Sequence, residues 1–394
     1  MKICHIITRL IVGGAQENTL LTCEGLAARG HEVTLVVGPE TGPEGSLWER
    51  ARRGEYRLVT VDSLRRNVRP VAEARCVAEL RRLLCAAGFD VVHTHSSKAG
   101  ILGRYAAARE RVPLIVHTIH GMSFNRTQPA PLRWFYRVLE RRAAAGTHAL
   151  ITVADAMIEQ SLQARIAPPE KFTTIRSGIE TACFLPDPRV RAQVRSGWEV
   201  ADEHLVVGTV ARLFSNKGYE DLLQAMPEVA RQCPEAHFVW VGDGANREEY
   251  VRQVERLGLR HRLHLTGLVL PEDVARLMNG FDILAHASRW EGLPRAVVQA
   301  LLTNVPVVGY DNDGTPEVVQ QDRTGELVSF GDTAGLAHGI IRLASSPKRR
   351  RRLGTEGRRR CLEEFDHRRM VDRIEALYYR LQSGRPGSVT ESAG

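Results

Sequence analysis

Arg289-Trp290-Glu291-Gly292-Leu293-Pro294-Arg295-Ala296-Val297-Val298-Gln299-Ala300 is the stretch from which the rest of the chain can be read. The carboxylate Glu291 stands on a Gly-Leu-Pro turn that opens a helix, and the amide of Gln299 follows just over two helical turns later. Both side chains can therefore face one crevice. The helix start supplies backbone N–H groups without intrahelical partners, a natural seat for phosphate. Upstream, Val210-Ala211-Arg212-Leu213-Phe214-Ser215-Asn216-Lys217-Gly218 sets two cations after an apolar strand. The combination reads as a site for a nucleoside diphosphate attached to a polyol.

Around this stretch the chain alternates β-rich runs with helical segments. Strands are expected at Ile3 to Thr8, Glu32 to Val37, Asp90 to Thr94, Leu114 to Ile119 and Ala149 to Val153, with a first helix from about Glu17 to Arg29. Proline and charge accumulate from Pro186 to Glu203, which reads as a connector between domains. The rhythm restarts at Leu205 to Val210 and continues at His237 to Val241, Leu263 to Thr266, Asp282 to Ala285 and Val305 to Val308. The expected fold class is α/β: two doubly wound, Rossmann-like domains in tandem, residues 1–185 and 204–366. Ligands in such sheets sit beyond the carboxyl ends of the strands, so a cleft between the domains is the expected site. A last helix is expected over 367–382, and the polar 383–394 reads as a disordered tail.

Composition agrees with a soluble globular chain. Of 394 residues, 43% are hydrophobic and 25% charged, and the net charge of +8 favours anionic partners. The seven cysteines are scattered without a C-x-x-C pair, so neither a zinc knuckle nor a disulfide framework is indicated. The first strand is read from Ile3, leaving no room for a charged leader, and no apolar run reaches the length of a membrane span. The expectation is a cytoplasmic protein, free or peripheral on the inner face of the membrane.

Several further residues sit where strands end. Gly13-Gly14-Ala15-Gln16 joins the first strand to the first helix but is not the G-x-G-x-x-G dinucleotide fingerprint. His120 ends the run Val116-His117-Thr118-Ile119-His120-Gly121. Ser96-Ser97-Lys98 opens a helix after His93-Thr94-His95, a suitable place for acceptor contacts. A metal on His93 and His95 lacks a visible third ligand. Helix residues Leu132, Phe135, Tyr136 and Leu139 form an apolar stripe, and Arg133, Arg137 and Arg141 a basic one. Either this is an ordinary domain helix with a solvated basic face, or it touches an anionic membrane surface. Lys348 to Arg352 and Arg358 to Arg360 add basic charge, but without aromatic interleaving no nucleic-acid partner is expected.

From Ile3 to about Leu381 the chain resembles the retaining glycosyltransferases of family 4, the "group 1" set with the GT-B fold. The resemblance rests on the R-L-x-x-x-K-G pattern of Arg212 to Gly218, the His-Gly of His120, and the Glu291 motif in that setting. It implies a metal-independent enzyme with no cofactor, acting on a nucleoside-diphosphate sugar, most often a UDP-sugar, and on a glycan, lipid-linked glycan or polysaccharide precursor. It implies His120 and Glu291 at the reaction centre, and Arg212, Lys217, Gly14 and the Leu293 N–H on the diphosphate. Gln299 falls on the nucleotide ribose, and Gly13, Ser96, Ser97 and Lys98 on the acceptor side. The family usually carries a second Glu where this chain has Gln299. That departure keeps two alternatives open: a non-catalytic nucleotide-sugar binding module, and a nucleotide-sugar epimerase on the same fold. Asp311-Asn312-Asp313 looks like the metal-binding D-x-D of a different glycosyltransferase fold and is set aside, because cations and helix dipoles take the metal's role in this one.

Overall fold

The computed structural model describes residues 1–42, 45–67, 69–124 and 128–383. The chain divides into two units, Met1–Gly178 with His367–Gly394, and Ile179–Asp366. The first unit holds a parallel sheet of β1 (Lys2–Ile7), β2 (Glu32–Val37), β3 (Arg57–Thr60), β4 (Val91–His95), β5 (Leu114–Ile119), β6 (Ala149–Thr152) and β7 (Phe172–Thr174), in the order β3-β2-β1-β4-β5-β6-β7. The second holds β8 (Leu205–Val210), β9 (Ala236–Val241), β10 (Leu263–Gly267), β11 (Ile283–His286), β12 (Val307–Tyr310) and β13 (Gly325–Val328), in the order β10-β9-β8-β11-β12-β13. Each sheet is doubly wound, and in each the chain reverses its direction of travel once, between β1 and β4 and between β8 and β11.

The strands are buried on both faces, as parallel strands covered by helices must be. Along β1, Ile3 and Ile7 pack into one core cluster while Cys4 and Ile6 pack into another, so the pleat divides the strand between two layers. The Ile3 layer is closed by the last helix, His367–Ser383, through Met370, Ile374, Leu377 and Tyr378. That helix belongs to the first unit; residues 384–394 of the expected tail lie outside the described residues.

Two expectations change. The first helix runs Gly14–Ala27, starting ahead of Glu17, because Gly13 serves as its N-cap and accepts the Glu17 N–H at 3.0 Å. The stretch expected as a connector contains a helix, Pro188–Gly197, inside the second unit. Asp187 caps it, accepting from the N–H groups of Arg189 and Val190, and Pro188 stands in its first turn. Its Arg195 is buried and paired with Asp282 at 3.1 Å, which anchors the helix to the β11 end of the sheet.

Candidate functional site

In the second unit the loops after β8 and β11 meet at the switch point. Gly218 lets them do so: its φ is +75°, and a Cβ there would lie 1.8 Å from the Ala287 carbonyl oxygen. The Lys217 ammonium donates to the Glu291 carboxylate at 2.7 Å. A second ion pair joins Arg289, on the loop after β11, to the buried Asp221 in the first turn of the helix Tyr219–Gln232. Burial pushes the Glu291 carboxyl up, but Lys217, then His286, and hydrogen bonds from Lys217 and Ser288 outweigh it, so it lies below its usual range. Asp313 of the Asp-Asn-Asp stretch accepts the Glu291 backbone N–H at 3.0 Å, a structural use of that carboxylate.

Arg212 is exposed and its guanidinium lies 5.1 Å from the Phe214 ring centroid. Leu293 is buried in the turn before the helix Arg295–Leu302, whose N-cap is Pro294. Gln299 is half-buried on that helix, and its amide has no side-chain hydrogen bond among the described residues. His286, the last residue of β11, was not singled out from the sequence. It is buried, its Nε2 is 3.8 Å from the Glu291 carboxylate, and burial pushes it down to about 4, so it is neutral at pH 7.

In the first unit the matching switch point carries Gly13, Gly14, Ser96 and Ser97. Ser96 has φ 61° and ψ 160°, a conformation normally left to glycine and costing ~1–3 kcal/mol. Its Oγ is 2.9 Å from the Thr8 Oγ1 beyond β1. Ser96, Ser97 and His120 line a cavity of about 250 Å³ together with Ala15, Met122 and Glu140. Lys98 is drawn away: its ammonium pairs with Glu73 at 2.8 Å and donates to the Asn67 carbonyl.

A third imidazole joins His93 and His95. The register sets His5 beside His93, and nitrogens of His5, His93 and His95 lie within 4.8 Å of one another. A metal could in principle use that spacing, which corrects the sequence reading. Most nitrogens of His5, His93 and His95 are already in hydrogen bonds, the exception being His5 Nε2. His5 Nδ1 meets His95 Nε2 at 3.0 Å, while His93 meets the Tyr378 hydroxyl at 2.5 Å and the Thr118 hydroxyl at 2.7 Å.

Several arginines of the two basic features are engaged by backbone carbonyls. On the helix Ala130–Ala145, Arg137 and Arg141 donate to the Ala164 and Arg165 carbonyls at the end of the next helix, so the expected basic stripe is broken. Trp134, 65% exposed, and Phe135, 47% exposed, remain at the surface there. Within Lys348 to Arg352 and Arg358 to Arg360, Arg350 caps the Leu343 and Ala344 carbonyls and Arg358 those of Phe184 and Leu302. No helix among the described residues is long and apolar enough to cross a membrane.

Residues 190–360 match the family model "Glycosyl transferases group 1", and residues 13–178 match "Glycosyl transferase 4-like domain". The chain is a group 1 glycosyltransferase. It is 28% identical, over 96% of both chains, to the UDP-Gal:alpha-D-GlcNAc-diphosphoundecaprenol alpha-1,3-galactosyltransferase of Escherichia coli. It is 25% identical to the GDP-mannose-dependent alpha-(1-6)-phosphatidylinositol monomannoside mannosyltransferase of Mycolicibacterium smegmatis, over 92% of this chain and 94% of that one. Among solved structures, Anabaena HepE in complex with UDP and glucose superposes with a TM-score of 0.81 at 21% identity, over 96% of this chain and 100% of that one. Sucrose-phosphate synthase of Thermosynechococcus elongatus gives 0.82 at 20% identity, over 98% of this chain and 100% of that one. This glycosyltransferase therefore has the GT-B fold, and each of its sheets is one of that fold's two Rossmann-like halves.

Proposed function

We propose that this glycosyltransferase moves a hexose-type sugar from UDP to a hydroxyl of a lipid-linked glycan or polysaccharide precursor, with retention at the anomeric carbon and without a metal. The observation that carries the reading is the Lys217–Glu291 pair at the switch point of the second unit, on the loops that also carry Arg212 and lead into the Gln299 helix. The cations would bind the diphosphate, whose charge grows as its bond to the anomeric carbon breaks, and so stabilise the transition state more than the bound donor. Glu291 would take hydroxyls of the sugar, Gln299 the ribose, and Leu293 would offer its N–H to phosphate. His120 would act at the reaction centre, and Gly13, Gly14, Ser96 and Ser97 would contact the donor phosphates and the acceptor. Lys98, held by Glu73, is the weakest of these candidates. UDP and a lipid-diphosphate acceptor are favoured by the E. coli relative, whose name carries both.

The deciding experiment is a panel of nucleotide sugars, read first by thermal stabilisation and then by transfer to an undecaprenyl-diphosphate-linked sugar. A UDP-sugar should stabilise the protein and be consumed, in EDTA as well as without it. Proton NMR of the first product from an α-linked donor should show an α-linkage. Turnover abolished by EDTA and restored by manganese would remove the metal-free claim, and a β-linked product would remove retention.

A further inference from the structure

His120 is the last link of a row of imidazoles. Parallel pairing sets His5 of β1 beside His93 of β4, and His95 beside Thr118 of β5. Because side chains alternate along a strand, His5, His93, His95 and Thr118 all project from the face closed by the last helix. Two contacts join the row: His5 Nδ1 to His95 Nε2 at 3.0 Å, and His95 Nδ1 to His120 Nε2 at 3.0 Å. Burial pushes His5 down to about 3 and His95 well below its usual range, the latter helped by its histidine neighbours. Both are neutral at pH 7, so each carries one N–H and one acceptor nitrogen.

A row of neutral rings can run in two directions. If it ran from His120 toward His5, the His5 proton would sit on Nε2, which is buried and has no hydrogen-bond partner. If it runs from His5 toward His120, the unpartnered atom is only an acceptor. An orphaned buried donor is the rarer and costlier defect. Resting on the reading of His120 as a reaction-centre residue, we propose that His5 and His95 are positioning residues that hold His120 as its Nδ1–H tautomer, with Nε2 accepting from His95. His120 is then protonated at Nδ1, and Nε2, accepting from His95, is not available as a base.

The test is long-range proton–nitrogen NMR on protein labelled in its histidines, with His120 assigned from the His120→Gln spectrum. At pH 7.5 the parent should show His120 protonated at Nδ1 and bare at Nε2. His95→Leu removes the donor, and His120 should shift to a mixture or to the Nε2–H form. His95→Asn, which places an amide N–H near the lost Nδ1–H, should restore the parent pattern. His95→Leu should also lower the donor-transfer kcat by about tenfold or more with KM little changed, and His95→Asn should recover most of it. His120 protonated at Nε2 in the parent overturns the proposal, and beyond the His120→Gln spectrum used for assignment this readout needs no variant. So does added zinc shifting the nitrogens of His5, His93 and His95 together, which would make them ligands. Unchanged transfer in His120→Ala would instead remove the reaction-centre reading and leave the tautomer assignment standing.

Discussion

Lys217 holds Glu291 in the folded chain and would hold phosphate when donor binds, so its removal acts twice. Lys217→Ala takes away a charge-assisted contact worth ~1.5–3 kcal/mol and leaves the Glu291 carboxylate without its main counter-charge. UDP affinity measured calorimetrically should fall roughly tenfold or more, and by more than in Arg212→Ala, whose side chain stands exposed. Equal losses would mean that the Glu291 pairing has no bearing on donor binding. On the proposed reading, Gln299→Leu would leave a ribose hydroxyl without its partner and should also weaken UDP, whereas Gln299→Glu should bind as well as the parent or better. Parent-like binding by Gln299→Leu would place the ribose elsewhere. Arg212, Lys217 and Glu291 are legible in the sequence because each lies in a short local motif. His286 is not, because its nearness to Glu291 depends on the turn through Ser288 to Trp290. His5 is not, because only strand order and register bring it to His95.

At the level of elements, charge read as a stripe on a helical wheel differs from charge available at the surface. Arg137 and Arg141 lie on one face of Ala130–Ala145, yet both reach the carbonyl ends of the following helix. Arg137→Gln with Arg141→Gln should therefore lower thermal stability while leaving binding to anionic vesicles nearly unchanged. If the helix meets a membrane, Trp134→Ser with Phe135→Ser should reduce vesicle binding in a flotation assay, since these are its most exposed large apolar side chains. The opposite ranking would restore the basic stripe as the contact. The same divide between local pattern and tertiary use governs which elements could be read in advance. The buried runs Glu32–Val37, Leu114–Ile119 and Leu205–Val210 stand out at their full length. Three of the four sheet-edge strands, Arg57–Thr60, Phe172–Thr174 and Gly325–Val328, do not. They are short, and an edge strand pairs on one side only, so Arg, Thr and Gly are tolerated there and the apolar signal fades. Pro188–Gly197 was masked by the residues that start it, since Asp-Pro marks a helix entry as readily as a loop.

For the molecule as a whole, the buried histidines set how it answers to acid. In the first unit His5, His93, His95 and His117 are all held neutral by burial; His5 lies at about 3 and the others well below 6.5. In the second, burial holds His286 at about 4. Each is a base whose folded value is depressed below the unfolded one of 6.5. Below that value the unfolded chain binds a proton that the folded chain refuses. The stability difference is therefore fully present above pH 6.5 and is lost as the pH falls toward the folded values. Carboxylates such as Glu291 and Glu375, lowered by their cationic partners, add their own loss only at pH nearer 4. Urea midpoints should accordingly hold from pH 8 to 7 and fall steeply between 6.5 and 4. The steepness counts protons, so replacing one ring should remove one of them. His5→Phe keeps a planar apolar side chain at the end of the imidazole row and should flatten the slope between pH 6 and 4 by about one proton, whatever it does to stability at pH 8. An unchanged slope would mean that His5 is protonated in the folded chain as readily as in the unfolded one, which a ring sealed between β2 and β4 should not be.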